Sequence, residues 1–264
     1  MDHLALPLGS NKSKNIFFCE IKMTKKYYFP PVGFGVWYQF GVLSVMTDTI
    51  PHKIYGSSGG SVVCFVSLLK KEDRDFDSIM RMYQNACKSH WWNLYQCLNQ
   101  FLEQIEVIIH SYDEEYINTK LKNIKIEVTE WKWGGFRGHL IQPKSVQELH
   151  HLVLASSFVP FLFWRPCPLF YEWQNKWYFD GFFANWSEVD SSFQKINSYQ
   201  YGTLIPCDEN TSLLLYEKGK QYNFSAPNEP FTLLVFFQMT WNIIRDFLKA
   251  TLRYRLLWNM KHRK

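Results

Sequence analysis

The chain has 264 residues, 47% hydrophobic and 18% aromatic, with a formal net charge of +5. That length buries a sizeable core as one large domain or at most two. Its six cysteines, at positions 19, 64, 87, 97, 167 and 207, form no CxxC pair and no ladder of close spacings. This argues against a structural zinc site or a dense disulfide framework and makes free thiols in a reducing compartment the default.

In chain order, residues 1–26 are polar and lysine-bearing and read as a loose extension with one short apolar piece, Ile16 to Cys19. Tyr27 to Phe29 reads as a first core strand closed by Pro30-Pro31, followed by Gly33-Phe34-Gly35 and a helix from Trp37 to Met46. A second strand is expected over His52 to Tyr55, and after the run Gly56-Ser57-Ser58-Gly59-Gly60 a helix from Gly60 to Lys70. Apolar residues at three- and four-residue steps make 76–110 helical. Ile124 to Val128 alternates like a strand. Ser145 is placed to N-cap a helix over 146–156, with Glu148 at the capping-box position. Trp177 to Phe179 reads as a short strand ending at Asp180-Gly181, residues 187–230 are turn-rich, and 231–258 read as an apolar and then amphipathic helix. Strands alternating with helices predict an α/β fold layered around one sheet.

The charge is unevenly spread. The last twenty residues hold Arg245, Lys249, Arg253, Arg255, Lys261, Arg263 and Lys264 against Asp246 alone, so the basic character belongs to the tail. Such a helix suits an anionic membrane surface or packs on the body with a solvated basic face. Nucleic-acid binding is the weaker use of this charge, since no recognition motif accompanies it. The high aromatic share fits either compositional drift or contact with lipid. The amino terminus lacks a basic start and an apolar stretch of signal-peptide length, and no run reaches 18 uncharged apolar residues, so neither a signal peptide nor a membrane span is expected.

Three segments carry chemistry. Gly56-Ser57-Ser58-Gly59-Gly60 fits G-x-S-x-G, the strand-to-helix elbow that lifts a serine hydroxyl out of the backbone. Ser58 is then a nucleophile, or a turn serine. A histidine base is hard to place, because only His262 follows Asp180; the histidines at 90, 110, 139, 150 and 151 read as core or surface residues, with Asp113 the main other acid, ahead of His139. A carboxylate bonded straight to the hydroxyl is the other possibility, and Asp180 sits at a strand's carboxyl end, where α/β sites collect; Asp-Gly is also a common turn. The glycine loop Gly33-Phe34-Gly35-Val36 can aim amides at an oxyanion at a helix start. A dinucleotide fingerprint is disfavoured there, because Tyr38 stands where the third glycine belongs.

In this order the three pieces resemble the patatin-like phospholipase family, in particular its animal adiponutrin-type branch. GFGVWYQFGVLSVM looks like the family's oxyanion loop and helix, and IYGSSGGSVV like its elbow. KSVQELHHLVLASSFVPFLF is similar to the segment ahead of the aspartate, with Ala155-Ser156-Ser157 and Pro160 at its signature, and KWYFDGFFANW to the aspartate motif, with Asn185 as the usual nearby asparagine. The likeness covers roughly 27–205. The oxyanion loop reads about two residues shorter than the family's run, Phe34 replaces a small residue, DGF stands for DGG or DGA, and Asn185 arrives one residue early.

The resemblance implies a three-layer α/β fold with a central, mostly parallel sheet flanked by helices. It implies a hydrolase domain over 27–230, preceded by the extension 1–26 and followed by the C-terminal helix 231–264. It makes Ser58 the nucleophile and Asp180 the base of a Ser-Asp dyad. The oxyanion donors are then the amides of Gly33, Phe34, Gly35 and Val36 with Gly59, and no metal or cofactor is needed. The expected activity is a serine lipid acyl hydrolase cleaving esters of glycerophospholipids or acylglycerols. The alternatives are an acyltransferase on the same lipids or a catalytically weak lipid-surface protein. The partners implied are a lipid ester and a membrane or lipid-droplet surface, with no nucleic acid, in an intracellular, peripherally membrane-associated protein.

Overall fold

Strand β1 (Lys26–Phe29) buries Tyr27 and Phe29 on one face and Tyr28 on the other, which is what a central strand covered on both sides requires. The computed structural model describes residues 25–46, 52–90, 93–159, 170–184, 192–203, 207–225 and 241. β1 leads through helix α1 (Val36–Val45) to β2 (Lys53–Ser57), and β2 through the elbow into α2 (Gly59–Val66). Every residue of α2 is buried, so this helix is a core element rather than a surface one. Helices α3 (Phe76–His90), α4 (Leu94–Ile109) and α5 (Glu114–Leu121) then precede the longest strand, β3 (Ile124–Lys132).

β3 turns into β4 (Gly135–Ile141), and α6 (Val146–Ser156) leads to the hairpin β5 (Tyr171–Trp173) and β6 (Lys176–Phe179). β7 (Gln194–Lys195) and α7 (Glu209–Lys220) follow. The sheet order is β5-β6-β3-β2-β1-β7, with β4 on the other edge of β3. The strands β7, β1, β2 and β3 run parallel; β4 and β6 pair with β3, and β5 with β6, antiparallel. Among the described residues seven α-helices flank this sheet, a mixed α/β architecture consistent with the fold that the resemblance implies.

Several elements match the pattern in the sequence. The helix at 146–156 starts where Ser145 caps it, the side chain accepting from the Glu148 amide at 3.0 Å. Others differ, each for a local reason. The helical stretch 76–110 is two helices, because Asn93 leaves helical geometry and its side chain accepts from the Gln96 amide, starting a new one. α2 ends at Val66 rather than reaching Lys70, tightening into i→i+3 turns in which Leu68 and Leu69 donate to Phe65 and Val66. β2 runs two residues past Tyr55, into the elbow itself.

α5, β4 and β5 were not expected, and α7 forms inside the stretch read as turn-rich, its start capped by Asp208 accepting from the Thr211 amide. The N-terminal extension up to residue 24, Pro160, Asn185 and, apart from Trp241, the C-terminal helix at 231–258 lie outside the described residues.

Candidate active site

Strand register brings the two chemistry-bearing residues together. β2 runs parallel to β3 and ends with Ser57 opposite Glu127. β6 runs antiparallel along the same edge of β3 and ends with Phe179 opposite Thr129. The two strands therefore point at each other over Val128, and the residue following each, Ser58 and Asp180, meets the other there. The Ser58 hydroxyl donates to Asp180 Oδ2 at 2.8 Å.

The elbow is sharp because its glycines allow it. A Cβ on Gly56 would lie 2.2 Å from the Gly60 carbonyl oxygen, and one on Gly60 would lie 2.0 Å from that of Phe29. Between them Ser58 takes φ 50°, ψ −124°, a conformation that a residue with a side chain adopts only when its surroundings hold it. The holding groups are Ser156 and Ser157 at the end of α6. Ser156 Oγ accepts from the Ser58 amide at 2.8 Å and donates to the Glu127 carbonyl at 2.6 Å, tying the elbow to β3. Ser157 Oγ donates to the Ser58 carbonyl at 3.2 Å, as does Ser61 Oγ at 2.6 Å. The Ala-Ser-Ser run was visible in the sequence only as a signature; its role as a clamp needed the fold.

Asp180 is held equally firmly. Its Oδ1 accepts from the Phe182 amide at 2.7 Å, and its carbonyl accepts from the Thr129 hydroxyl at 2.8 Å. The residue is 2% exposed. Burial pushes its pKa up to about 7, opposed by the Phe182 amide and the Ser58 hydroxyl, both of which favour the ionised form. A carboxylate that titrates near neutrality and touches a hydroxyl can take a proton from it and give it back.

The carboxylate of Glu127 on β3 is also buried and was not singled out in the sequence. Glu127 Oε2 accepts from the Tyr28 hydroxyl at 2.6 Å. Burial, and then the Glu127 charge, hold the Tyr28 pKa well above its usual range, so Tyr28 is the donor at neutral pH. Among the described residues no histidine bonds Ser58 or Asp180: His139 bonds Glu130 and His150 bonds Glu106 and Asn99. Among the described residues, no group of three or more His, Cys, Asp or Glu is placed to hold a metal ion.

The glycine loop packs directly against the elbow: a Cβ on Gly59 would lie 2.6 Å from the Gly33 carbonyl oxygen. Three of the loop's amides are already engaged, two of them in closing its own turn. Phe34 donates to the Thr203 carbonyl at 2.8 Å, Gly35 to Val32 at 3.0 Å and Val36 to Gly33 at 3.3 Å. Of the five residues expected to supply oxyanion donors, Gly33 and Gly59 are the two whose amides meet no acceptor among the described residues.

Ser58 and Asp180 line two cavities. One, of about 120 Å³, runs between α1, α2, α3 and α4 and is walled by Val36, Trp37, Phe40, Val62, Leu94, Leu98 and Phe101. The other, of about 250 Å³, is bounded by Pro31, Val32, Val159, Phe182, Phe183 and Thr203. Cys97 lines the first, and its thiol is 2.8 Å from that of Cys87 on α3, a proximity that no spacing in the sequence announces. Among the described residues no helix is long and apolar enough to cross a membrane.

Comparison with curated proteins and with solved structures gives no match. The patatin-like phospholipase family model matches residues 33–185, from the glycine loop past the Asp-Gly turn and over more than half of the 264 residues, and the chain belongs to that family.

Proposed function

We propose that the protein is a serine lipid acyl hydrolase that uses Ser58 as nucleophile and Asp180 as base. The observation that carries this reading is the 2.8 Å bond from the Ser58 hydroxyl to a buried carboxylate, at an elbow set between two largely apolar cavities. As Ser58 Oγ bonds to the ester carbonyl carbon, its proton passes to Asp180 Oδ2, and the oxyanion takes the Gly33 and Gly59 amides. Collapse breaks the bond to the leaving alkoxide, which receives the proton from Asp180. Water then attacks the acyl-serine, giving its proton to Asp180, and the departing Ser58 oxygen takes that proton back.

The cavity under α3 and α4 suits the acyl chain and the one beside Phe182 and Phe183 the leaving alcohol, which fits esters of glycerophospholipids or acylglycerols. The Ala155-Ser156-Ser157 segment favours the adiponutrin-type branch. Residues 27–230 make up the catalytic domain in this reading, and the basic segment 231–264 adds contact with a membrane or droplet surface from the intracellular side.

A fluorophosphonate probe tests the nucleophile, since only an activated serine is labelled. Peptide mapping should place the label on Ser58, and the purified protein should release fatty acid from phospholipid liposomes or triacylglycerol emulsions. An unlabelled Ser58 in folded protein would reject the assignment.

A further inference from the structure

The free ends of two hairpins project side by side beyond the cleft. Trp131 of β3 stands opposite Phe136 of β4 on one side and Trp177 of β6 on the other. Opposite residues share a face of a sheet and neighbours along a strand alternate. Trp131, Phe136, Trp177 and Phe179 therefore lie on one face of this ribbon, and Glu130, Lys132, Arg137 and Lys176 on the other.

The aromatic face is continuous. Ring centroids are 5.0 Å apart for Trp131 and Phe136, 5.6 Å for Trp131 and Phe170, 6.1 Å for Phe170 and Trp177, and 4.9 Å for Phe179 and Phe183. It is also open to solvent: Trp177, Phe136 and Phe183 are 45%, 48% and 49% exposed. Trp133, in the two-residue loop Trp133-Gly134 between β3 and β4, is 96% exposed. At the other end Phe183 and Phe182 line a cavity with Ser58 and Asp180. An apolar track thus runs from the hairpin tip to the site, a span of about 16 Å from the Val128 level to Trp133 at strand rise.

We propose that this ribbon is the surface by which the protein docks on a phospholipid bilayer containing anionic lipid. Indole and phenyl rings on an exposed ribbon suit the boundary between headgroups and hydrocarbon, which water alone does not favour. The cations complement it. Lys132 and Lys176 flank the two hairpin tips and Arg137 lies beside them; the carboxylates there are Glu130, buried and paired with Lys132 at 3.3 Å and Lys176 at 3.9 Å, and the exposed Glu172. Long basic side chains at such a rim reach headgroup phosphates while the rings sit deeper. Only the direction of use, lipid passing along the track to Ser58, rests on the hydrolase reading.

The test is partitioning of the full chain onto phosphatidylcholine vesicles with and without phosphatidylserine. Trp133→Ser, and Trp133→Ser with Trp177→Ser, should lower vesicle binding several-fold, with an additional loss when the anionic lipid is left out. In the unsubstituted protein, vesicles should shift tryptophan emission to the blue and brominated lipid should quench it. Neither variant touches Ser58, so turnover of a soluble short-chain ester should stay unchanged. Unaltered partitioning of the double variant overturns the proposal, and so does loss of self-association with vesicle binding intact, which would make the ribbon a protein interface. If the unsubstituted protein cleaves no soluble ester, the hydrolase reading fails while partitioning still decides the docking surface.

Discussion

Ser58 and Asp180 lie 122 residues apart in the chain, yet hydroxyl and carboxylate meet at 2.8 Å because β2 and β6 run toward each other along one edge of β3. Two chain ends converging on one strand leave little freedom at the junction. The hydrogen bond is therefore a consequence of register rather than of flexible side chains finding each other.

Ser58→Ala and Asp180→Asn should each lower ester hydrolysis by about 10³-fold or more, the scale of losing a nucleophile or its base. Steady-state assays on a soluble ester measure this, with circular dichroism showing that each variant keeps its fold. Asp180→Asn should also slow fluorophosphonate labelling, because an amide accepts no proton from Ser58. Undiminished turnover in either variant would remove the pair from the mechanism.

The same carboxylate sets a pH profile. With its pKa raised to about 7 by burial, Asp180 is protonated and unable to act as base in acid. kcat/KM for a soluble ester should therefore climb tenfold per pH unit below about 7 and level off above it. A profile flat from pH 5 to 8 would contradict the role given to Asp180.

Stability follows with the opposite sign. The folded-state pKa lies above the unfolded value of 3.8, so the native state binds the proton more tightly. The favourable contribution of the protonated group is present below about pH 4 and is lost as pH rises through about 7. Above that, the native protein carries a buried charge that Asn lacks. Asp180→Asn should accordingly raise Tm more at pH 8 than at pH 5, which thermal unfolding at the two pH values would check.

Much of this site was legible in the sequence because its parts are local. G-x-S-x-G and Asp-Gly declare a turn within a few residues, and Ser145 with Glu148 declares the start of α6. What stayed hidden depends on distant partners. The break between α3 and α4 interrupts no apolar periodicity, so only the cap at Asn93 marks it. β4 begins on the second residue of the pair Gly134-Gly135 and carries another glycine at 138, which blurs its alternation. Gly33 and Gly59 are set apart from Gly35 and Val36 by the loop's own turn, and from Phe34 by Thr203, some 170 residues on, taking its amide. The cavity walls come from α1, α2, α3 and α4, and no single segment displays them.

Ser156 offers a test of the clamp. Its hydroxyl satisfies the Ser58 amide and the Glu127 carbonyl together, both buried. Ser156→Ala removes both bonds and takes from the buried Ser58 amide its acceptor, at a cost of roughly 1–3 kcal/mol. Because the Ser58 amide belongs to the strained elbow, the loss should appear in kcat more than in KM, with Ser156→Thr recovering part of it. Denaturant unfolding and steady-state kinetics on the three proteins separate the effects; a purely destabilised enzyme would show normal kcat for its folded fraction.

The cavity beneath α3 and α4 should decide chain length. Leu98 lines it from α4 and is only partly buried, so a larger ring there fills the cavity while its far edge can lean outward. The void is about 120 Å³, and an indole would take up much of it. Leu98→Trp should therefore depress turnover of long-chain esters at least tenfold while leaving short-chain esters within a factor of two, a difference of roughly 1 kcal/mol or more in transition-state binding. Rates on a series of p-nitrophenyl esters from acetate to palmitate read this out directly. An equal loss at every length would mean that the acyl chain lies elsewhere, and the cavity beside Phe182 and Phe183 would then be the one to fill.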